Sequence, residues 1–183
     1  MHILIIIVLA IGLLIALLLV AALFVKKEYT IERTITINRF RPEVFNYIRF
    51  LKNQDHYSKW VRTDPGMKKE FRGADGTVGF VYAWDGNKKA GKGEQEITHI
   101  HEGSIETELR FIRPFAATAQ SYMQVEALPG NTPHQTRVTW GLKGRSTYPL
   151  NLMTALMSKA LGRDMETSLV MLKQQLGNET APA

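Results

Sequence analysis

Few side chains in this sequence are spaced for covalent chemistry. His99 and His101 stand two apart, which puts both imidazoles on one face of a strand and resembles half of a metal site. The chain has no cysteine to complete it, and Glu102 is too close in sequence to fold back onto it. Histidines at the end of a hairpin are the simpler reading. Glu94 and Glu96 share a strand face in the same way, but alternation turns that face outward and predicts a solvated pair rather than a general acid and base. No serine sits in a Gly-x-Ser-x-Gly elbow. Gly91-Lys92-Gly93 lacks the length and the following helix of a phosphate loop, so its glycines are expected to let a strand bend. No catalytic constellation stands out, and neither a metal nor a cofactor is expected.

The residues with more to offer are apolar and aromatic. Strand alternation turns Val78, Phe80, Tyr82 and Trp84 inward, with Gln95 and Ile97, then Ile105, Thr107, Leu109 and Phe111. Met123 and Val125 follow, then Val138, Trp140 and Leu142; Met153, Met157, Leu161 and Met165 face them from a helix. An apolar lining with a few polar tips suits a small-molecule pocket, although for any one of these residues a packed core is the simpler reading. Methionine fits variable contents, which favours the pocket. Tyr82 and Gln95 would orient a ligand or satisfy a buried neighbour. The predicted contact set is Tyr82, Trp84, Gln95, Leu109, Met123, Trp140, Met157 and Met165. His56, beside Tyr57, belongs at the rim or on the surface.

The elements that must hold these residues are legible from periodicity. Ile31, Ile35 and Ile37 alternate with polar residues and predict a strand, with Arg33 on its apolar face as a sheet-edge or snorkelling residue. Pro42 opens a helical stretch carrying Val44, Phe45, Ile48 and Leu51, and Asn53 to Trp60 predicts a second short helix. After the turn at Thr63-Asp64-Pro65-Gly66, strands are expected over 77–84, 90–100, 104–111, 115–127 and 135–142. Turns at Asp85-Gly86-Asn87-Lys88, Glu102-Gly103 and Leu128-Pro129-Gly130-Asn131 make them an antiparallel meander of about six strands. From Pro149, Met153, Met157, Leu161, Met165, Leu169, Leu172 and Leu176 form one stripe on a long helix closed by Gly177, with Gly162 expected to kink it or thin its packing. The order predicts an α+β fold in which one helix covers a curved antiparallel sheet. The domain runs over 28–177, with a flexible tail over 178–183.

Ahead of it, residues 3–25 form an uncharged apolar run. At about 1.5 Å per residue it crosses a bilayer core of about 30 Å with some tilt. A cleaved signal peptide would carry a basic leader; only Met1 and His2 precede this run, although Val20-Ala21-Ala22 is a passable cleavage site. A single-pass transmembrane helix is the expectation. Lys26, Lys27, Arg33, Arg39 and Arg41 follow it, so the positive-inside rule places the domain in the cytoplasm. The net charge of +6 lies wholly beyond residue 25, but it is scattered and predicts no nucleic-acid partner.

Several phrases carry a family likeness. They are Tyr29 to Asn38, Pro42-Glu-Val-Phe45, Leu51-Lys-Asn53, Ser58 and Trp60, Asp64-Pro65-Gly66-Met67, and Tyr82-Ala-Trp84 with Gly86-Asn87. Gly91-Lys-Gly93, Arg113-Pro-Phe115, Val138-Thr-Trp140 and Asn151-Leu-Met153 complete the set. With them the chain resembles the START-like (Bet v 1-like) helix-grip superfamily called SRPBCC, and within it the bacterial membrane-anchored polyketide cyclase/dehydrase group. It departs from that group in carrying Gln54, Tyr57 and Lys59 where a Trp-rich stretch is usual, and Gln95 where an apolar residue is usual. The resemblance implies a cavity between the sheet and the C-terminal helix, and as ligand a lipid, sterol, polyketide or other apolar molecule. It implies an inner-membrane location if the source is bacterial. Two alternatives go with it: a cyclase or dehydratase using acid–base chemistry in that cavity, and a tethered interaction or stress-related scaffold.

Overall fold

The computed structural model describes residues 2–129 and 134–178. Helix α1 is His2–Phe24, and β1 (Glu28–Ile37) follows it after a short link. Next come α2 (Arg41–Ile48), a 3-10 turn at Leu51–Asn53, and the one-turn helices α3 (Gln54–Tyr57) and α4 (Lys59–Arg62). Six strands follow: β2 (Lys68–Arg72), β3 (Val81–Asp85), β4 (Lys92–His101), β5 (Ser104–Arg113), β6 (Ala117–Ala127) and β7 (Thr136–Arg145). Helix α5 (Asn151–Asn178) ends the described chain. The strands form one antiparallel sheet in the order β1-β7-β6-β5-β4-β3-β2, so the first strand closes against the last. This is the predicted α+β helix-grip architecture.

Local chemistry explains most boundaries. Pro42 sits in the first turn of α2, where a missing N–H costs nothing. The expected helix over 53–60 is two pieces, because Ser58 is extended (φ −74°, ψ 120°) and breaks it. Two register shifts interrupt the β4–β5 ladder: opposite Lys92 and Gly93 the extra residue is Ile112 of β5, and between Ile97 and His99 it is Thr98 of β4. The first occurs where Gly93 faces Trp84 across the ladder. A Cβ on Gly93 would stand 2.6 Å from the Arg110 carbonyl oxygen and 2.7 Å from the Trp84 ring, so glycine permits both close approaches.

The core joins Ile31, Ile37, Val44, Ile48, Leu51 and Phe80 to Val138, Met165, Leu169, Leu172 and Leu176. Each such side chain contributes about 1.5–3 kcal/mol by burial.

Four expectations need correction. Val78 is exposed, since β3 begins only at Val81 and the chain turns ahead of it. Strand β2 has no alternating pattern to betray it; its residues, Lys-Lys-Glu-Phe-Arg, are all exposed at the sheet edge. Gly162 does not interrupt α5. It sits beneath the Arg33 guanidinium of edge strand β1, where a Cβ would collide with it. Gly177 lies inside α5 rather than closing it. The Gly130-Asn131 half of one predicted turn, and 179–183 of the predicted tail, lie outside the described residues.

Candidate functional site: a cavity beneath the C-terminal helix

Helix α5 packs chiefly along β1, at one edge of the sheet. It leaves the concave face of β3 to β6 uncovered, and the small helices α3 and α4 only partly fill that space. The result is a cavity of about 160 Å³. Its floor is Tyr82 and Trp84 of β3, Gln95 of β4, Leu109 and Phe111 of β5, Ser121 of β6, and Trp140 and Leu142 of β7. Leu161 and Met165 of α5, with Trp60 and Val61 of α4, form its roof.

The strand register fixes these positions. Tyr82 pairs with Gln95 and Gln95 with Leu109, while Leu109 pairs with Ala119, so one row crosses the sheet floor. A second row, Trp84, Gly93, Phe111 and Ala117, lies one step nearer the end from which α1 enters.

Polar groups in the wall are turned on one another. The Gln95 amide donates to Thr107 Oγ1 (2.9 Å), and the Thr107 hydroxyl donates to the Ser121 carbonyl (3.3 Å). Trp140 Nε1 donates to Ser121 Oγ (2.9 Å), and Trp84 Nε1 donates to the Ala90 carbonyl (3.2 Å). Tyr82 Oη donates to Asp55 Oδ1 (2.6 Å), whose other oxygen pairs with Lys69 at 2.7 Å. Burial, and then this bond to Asp55, hold the Tyr82 phenol far above the ordinary tyrosine pKa. Apart from Gln54 and Ser58, what remains facing the void is aromatic and aliphatic. Trp60 meets Trp140 edge-on at 5.7 Å, and Trp84 meets Phe111 edge-on at 6.0 Å. All three tryptophans of the chain line this space.

Of the predicted contact set, Tyr82, Trp84, Gln95, Leu109, Trp140 and Met165 come together here. Met123 is buried one row deeper, where it accepts a hydrogen bond from Tyr57 Oη at 3.7 Å and lines a minor void of about 10 Å³. Met157 is a correction: it is half exposed and lines neither void, because α5 stands clear of the sheet before Leu161. Met153 is exposed for the same reason. Sequence reasoning missed Gln54, Ser58, Trp60, Val61, Met67, Ala90 and Ser121. Ser121 was recoverable, since alternation back from Met123 puts it inward. The α3–α4 residues carry no periodic signal in such short helices.

The other candidates lie elsewhere. His99 and His101 stack at 6.1 Å on the exposed face, within ion-pair distance of Glu106. Glu94 and Glu96 also face outward and clamp Arg110 at 2.8 and 2.6 Å, with Glu108 at 2.6 Å. Hydrogen bonds from Arg72 and Arg110 pull the Glu94 carboxyl below its usual pKa. His56 is exposed and its Nδ1 lies 3.1 Å from Tyr47 Oη. The described residues that line the cavity include no carboxylate, imidazole, ammonium or thiol.

No family model matches the chain, and no curated protein does. Solved structures do. XoxI from Bacillus cereus superposes with a TM-score of 0.60 at 12% identity, over 81% of this chain and 96% of its own. TTHA0849 from Thermus thermophilus gives 0.58 at 16% identity, over 83% and 100%. Ara h 8.0201 gives 0.52 at 14% identity, over 79% and 98%. At these identities the likeness is one of fold, and the fold is the Bet v 1-like helix grip.

Proposed function

We propose that this chain is a membrane-anchored binding module that holds a hydrophobic small molecule or part of a lipid in the cavity beneath α5. The observation that carries the reading is a void walled by three tryptophans, in which Trp84, Tyr82, Gln95, Ser121 and Trp140 already spend their polar atoms on protein partners. A cavity of about 150 Å³ with apolar walls stays dry and accepts a benzene-sized guest. The void here, about 160 Å³, fits a ring or the end of an acyl or isoprenoid chain rather than a whole lipid. Its half-exposed lining residues, Trp84, Ala90, Phe111, Leu142 and Leu161, leave one end open for the remainder.

The anchor supports the same reading. Helix α1 is 23 residues long with no buried face over its most apolar stretch, which is what a lipid-embedded helix presents. Tethering raises the effective concentration of the domain beside a ligand that partitions into the bilayer. The basic flank puts the domain on the cytoplasmic side, at the inner membrane if the source is bacterial. Acid–base catalysis of the cyclase or dehydratase kind would need a group that titrates in the pocket. The lining offers Tyr82, whose phenol is held protonated.

Mass spectrometry of an organic extract of the purified full chain tests the proposal. A recurrent apolar species near one per chain supports it. A protein repeatedly free of any such species, and unable to take up an added apolar probe, overturns it.

A further inference from the structure

One half of α5 carries an apolar stripe that the sheet does not cover. Met153, Leu156 and Met157 follow helical spacing and are exposed, Leu156 by 75%, and Leu150, in the turn just before the helix, is exposed beside them. Just beyond the lining residue Phe111, Ile112 at the end of β5 and Phe115 in the β5–β6 turn are exposed, Phe115 by 60%. Single exposed apolar residues are ordinary, but a cluster at the mouth of a cavity is not.

The position of this cluster relative to α1 is fixed by hydrogen bonds. The buried Asn151 side chain donates through Nδ2 to the carbonyls of Ala22 (2.7 Å) and Val25 (2.8 Å), tying the start of α5 to the end of α1. Tyr148 Oη donates to the Leu19 carbonyl at 3.3 Å, and the Ser146 amide donates to the Lys27 carbonyl at 2.8 Å. The β5–β6 turn belongs to the same end: Tyr29, Gly144, Ala119 and Leu109 form one ladder row, and Phe111 lies a step beyond it. Exposed Lys26, Lys27, Lys88, Lys89 and Lys159 surround this end and suit anionic headgroups.

We propose that Ile112, Phe115, Leu150, Met153, Leu156 and Met157 form a rim that lies in the interfacial layer of the bilayer holding α1. The cavity mouth then opens onto lipid rather than water, and a ligand passes between bilayer and cavity without crossing solvent. This rests on the reading of α1 as a membrane anchor. The occupant of the rim is the bilayer surface itself, since α1 ends beside it and leaves no room for the rim to stand far from the headgroups.

The absence of cysteine makes the test direct. Single variants Leu156→Cys, Phe115→Cys, Leu14→Cys and Glu126→Cys of the full chain would carry an environment-sensitive fluorophore. They are reconstituted in vesicles of phosphatidylcholine and phosphatidylglycerol bearing nitroxides at shallow or deep acyl positions. Labels at 156 and 115 should lose most of their emission to the shallow nitroxide, the label at 14 should lose it to the deep one, and that at 126 should keep it. Rim labels that behave like position 126 while position 14 is quenched would overturn the rim and leave the anchor standing. A label at 14 that neither nitroxide quenches would overturn both. Rim labels shielded from aqueous iodide yet untouched by lipid nitroxide would also overturn the proposal, because a protein would then cover the rim.

Discussion

The two halves of α5 are one continuous helix with opposite surroundings. From Met165 on, its apolar stripe is buried against the sheet: Met165, Leu169, Leu172 and Leu176 all belong to the core. Before Leu161 the same stripe, in Met153 and Met157, faces outward. Periodicity is identical in both halves, so the difference lies in what stands opposite. The second half meets the core side chains of β1 and β7 and is gripped at its end by Arg39, whose Nε donates to the Leu176 carbonyl at 2.8 Å. The first half meets the end of α1 and an open cavity mouth. A hydrophobic stripe therefore predicts that something apolar covers a helix, and here two different partners do so, the folded core and, by the proposal above, the bilayer.

The largest effect should separate the two halves. Leu172→Ala, in a fully buried site, is expected to cost about 2–5 kcal/mol in denaturant unfolding of the full chain. Leu156→Ala should stay within about 0.5 kcal/mol. Equal costs would erase the comparison. Next comes Gly93→Ala, where β4 passes close beneath Trp84; overpacking there should cost about 1–3 kcal/mol and blue- or red-shift tryptophan emission as the ring moves. Unchanged emission would show that the ring does not rest on that glycine.

Similar in size but confined to the junction is Asn151→Ala, which removes two hydrogen bonds between α5 and the end of α1. It should cost about 1–3 kcal/mol locally and speed tryptic cleavage after Lys26 and Lys27, leaving the core intact. Cleavage at the wild-type rate would mean that the junction is not held there. The smallest effect belongs to the outer face. Glu94 has a carboxyl pKa lowered by its arginine partners, so its contribution is present above the unfolded value of about 4.3 and fades as pH falls through the lowered folded value. Glu94→Gln should therefore lose up to about 1 kcal/mol at neutral pH and match the wild type in strong acid. A gap that widens in acid would reverse the sign.

The sheet was legible because strands with one wet face alternate: β1 and β4 to β7 all declare themselves, and Gly-rich turns separate most of them. Strand β2 was not, since both its faces are wet and nothing alternates. Tyr82, Trp84, Gln95, Leu109, Trp140 and Met165 were legible as inward-facing, yet alternation alone does not tell a lined void from a filled one. That depends on where α5 lies across the sheet, and its placement over β1 is set by contacts far apart in sequence, such as Arg33 seated on Gly162. Met157 was misplaced for the same reason, because its stripe continues past the point where the sheet stops answering it. Trp60 and Val61 were invisible as lining residues, since a one-turn helix has no period to read.

Every tryptophan of the chain borders the cavity, so occupancy has an intrinsic reporter. A titration of the full chain in lipid nanodiscs with a dibrominated fatty acid, followed by tryptophan emission, tests the central claim most directly. The account predicts saturable quenching near one equivalent per chain, lost in a Leu109→Phe/Leu161→Phe variant that fills the void without adding a tryptophan. Quenching that rises linearly without saturation, or that is the same in the filled variant, would contradict it.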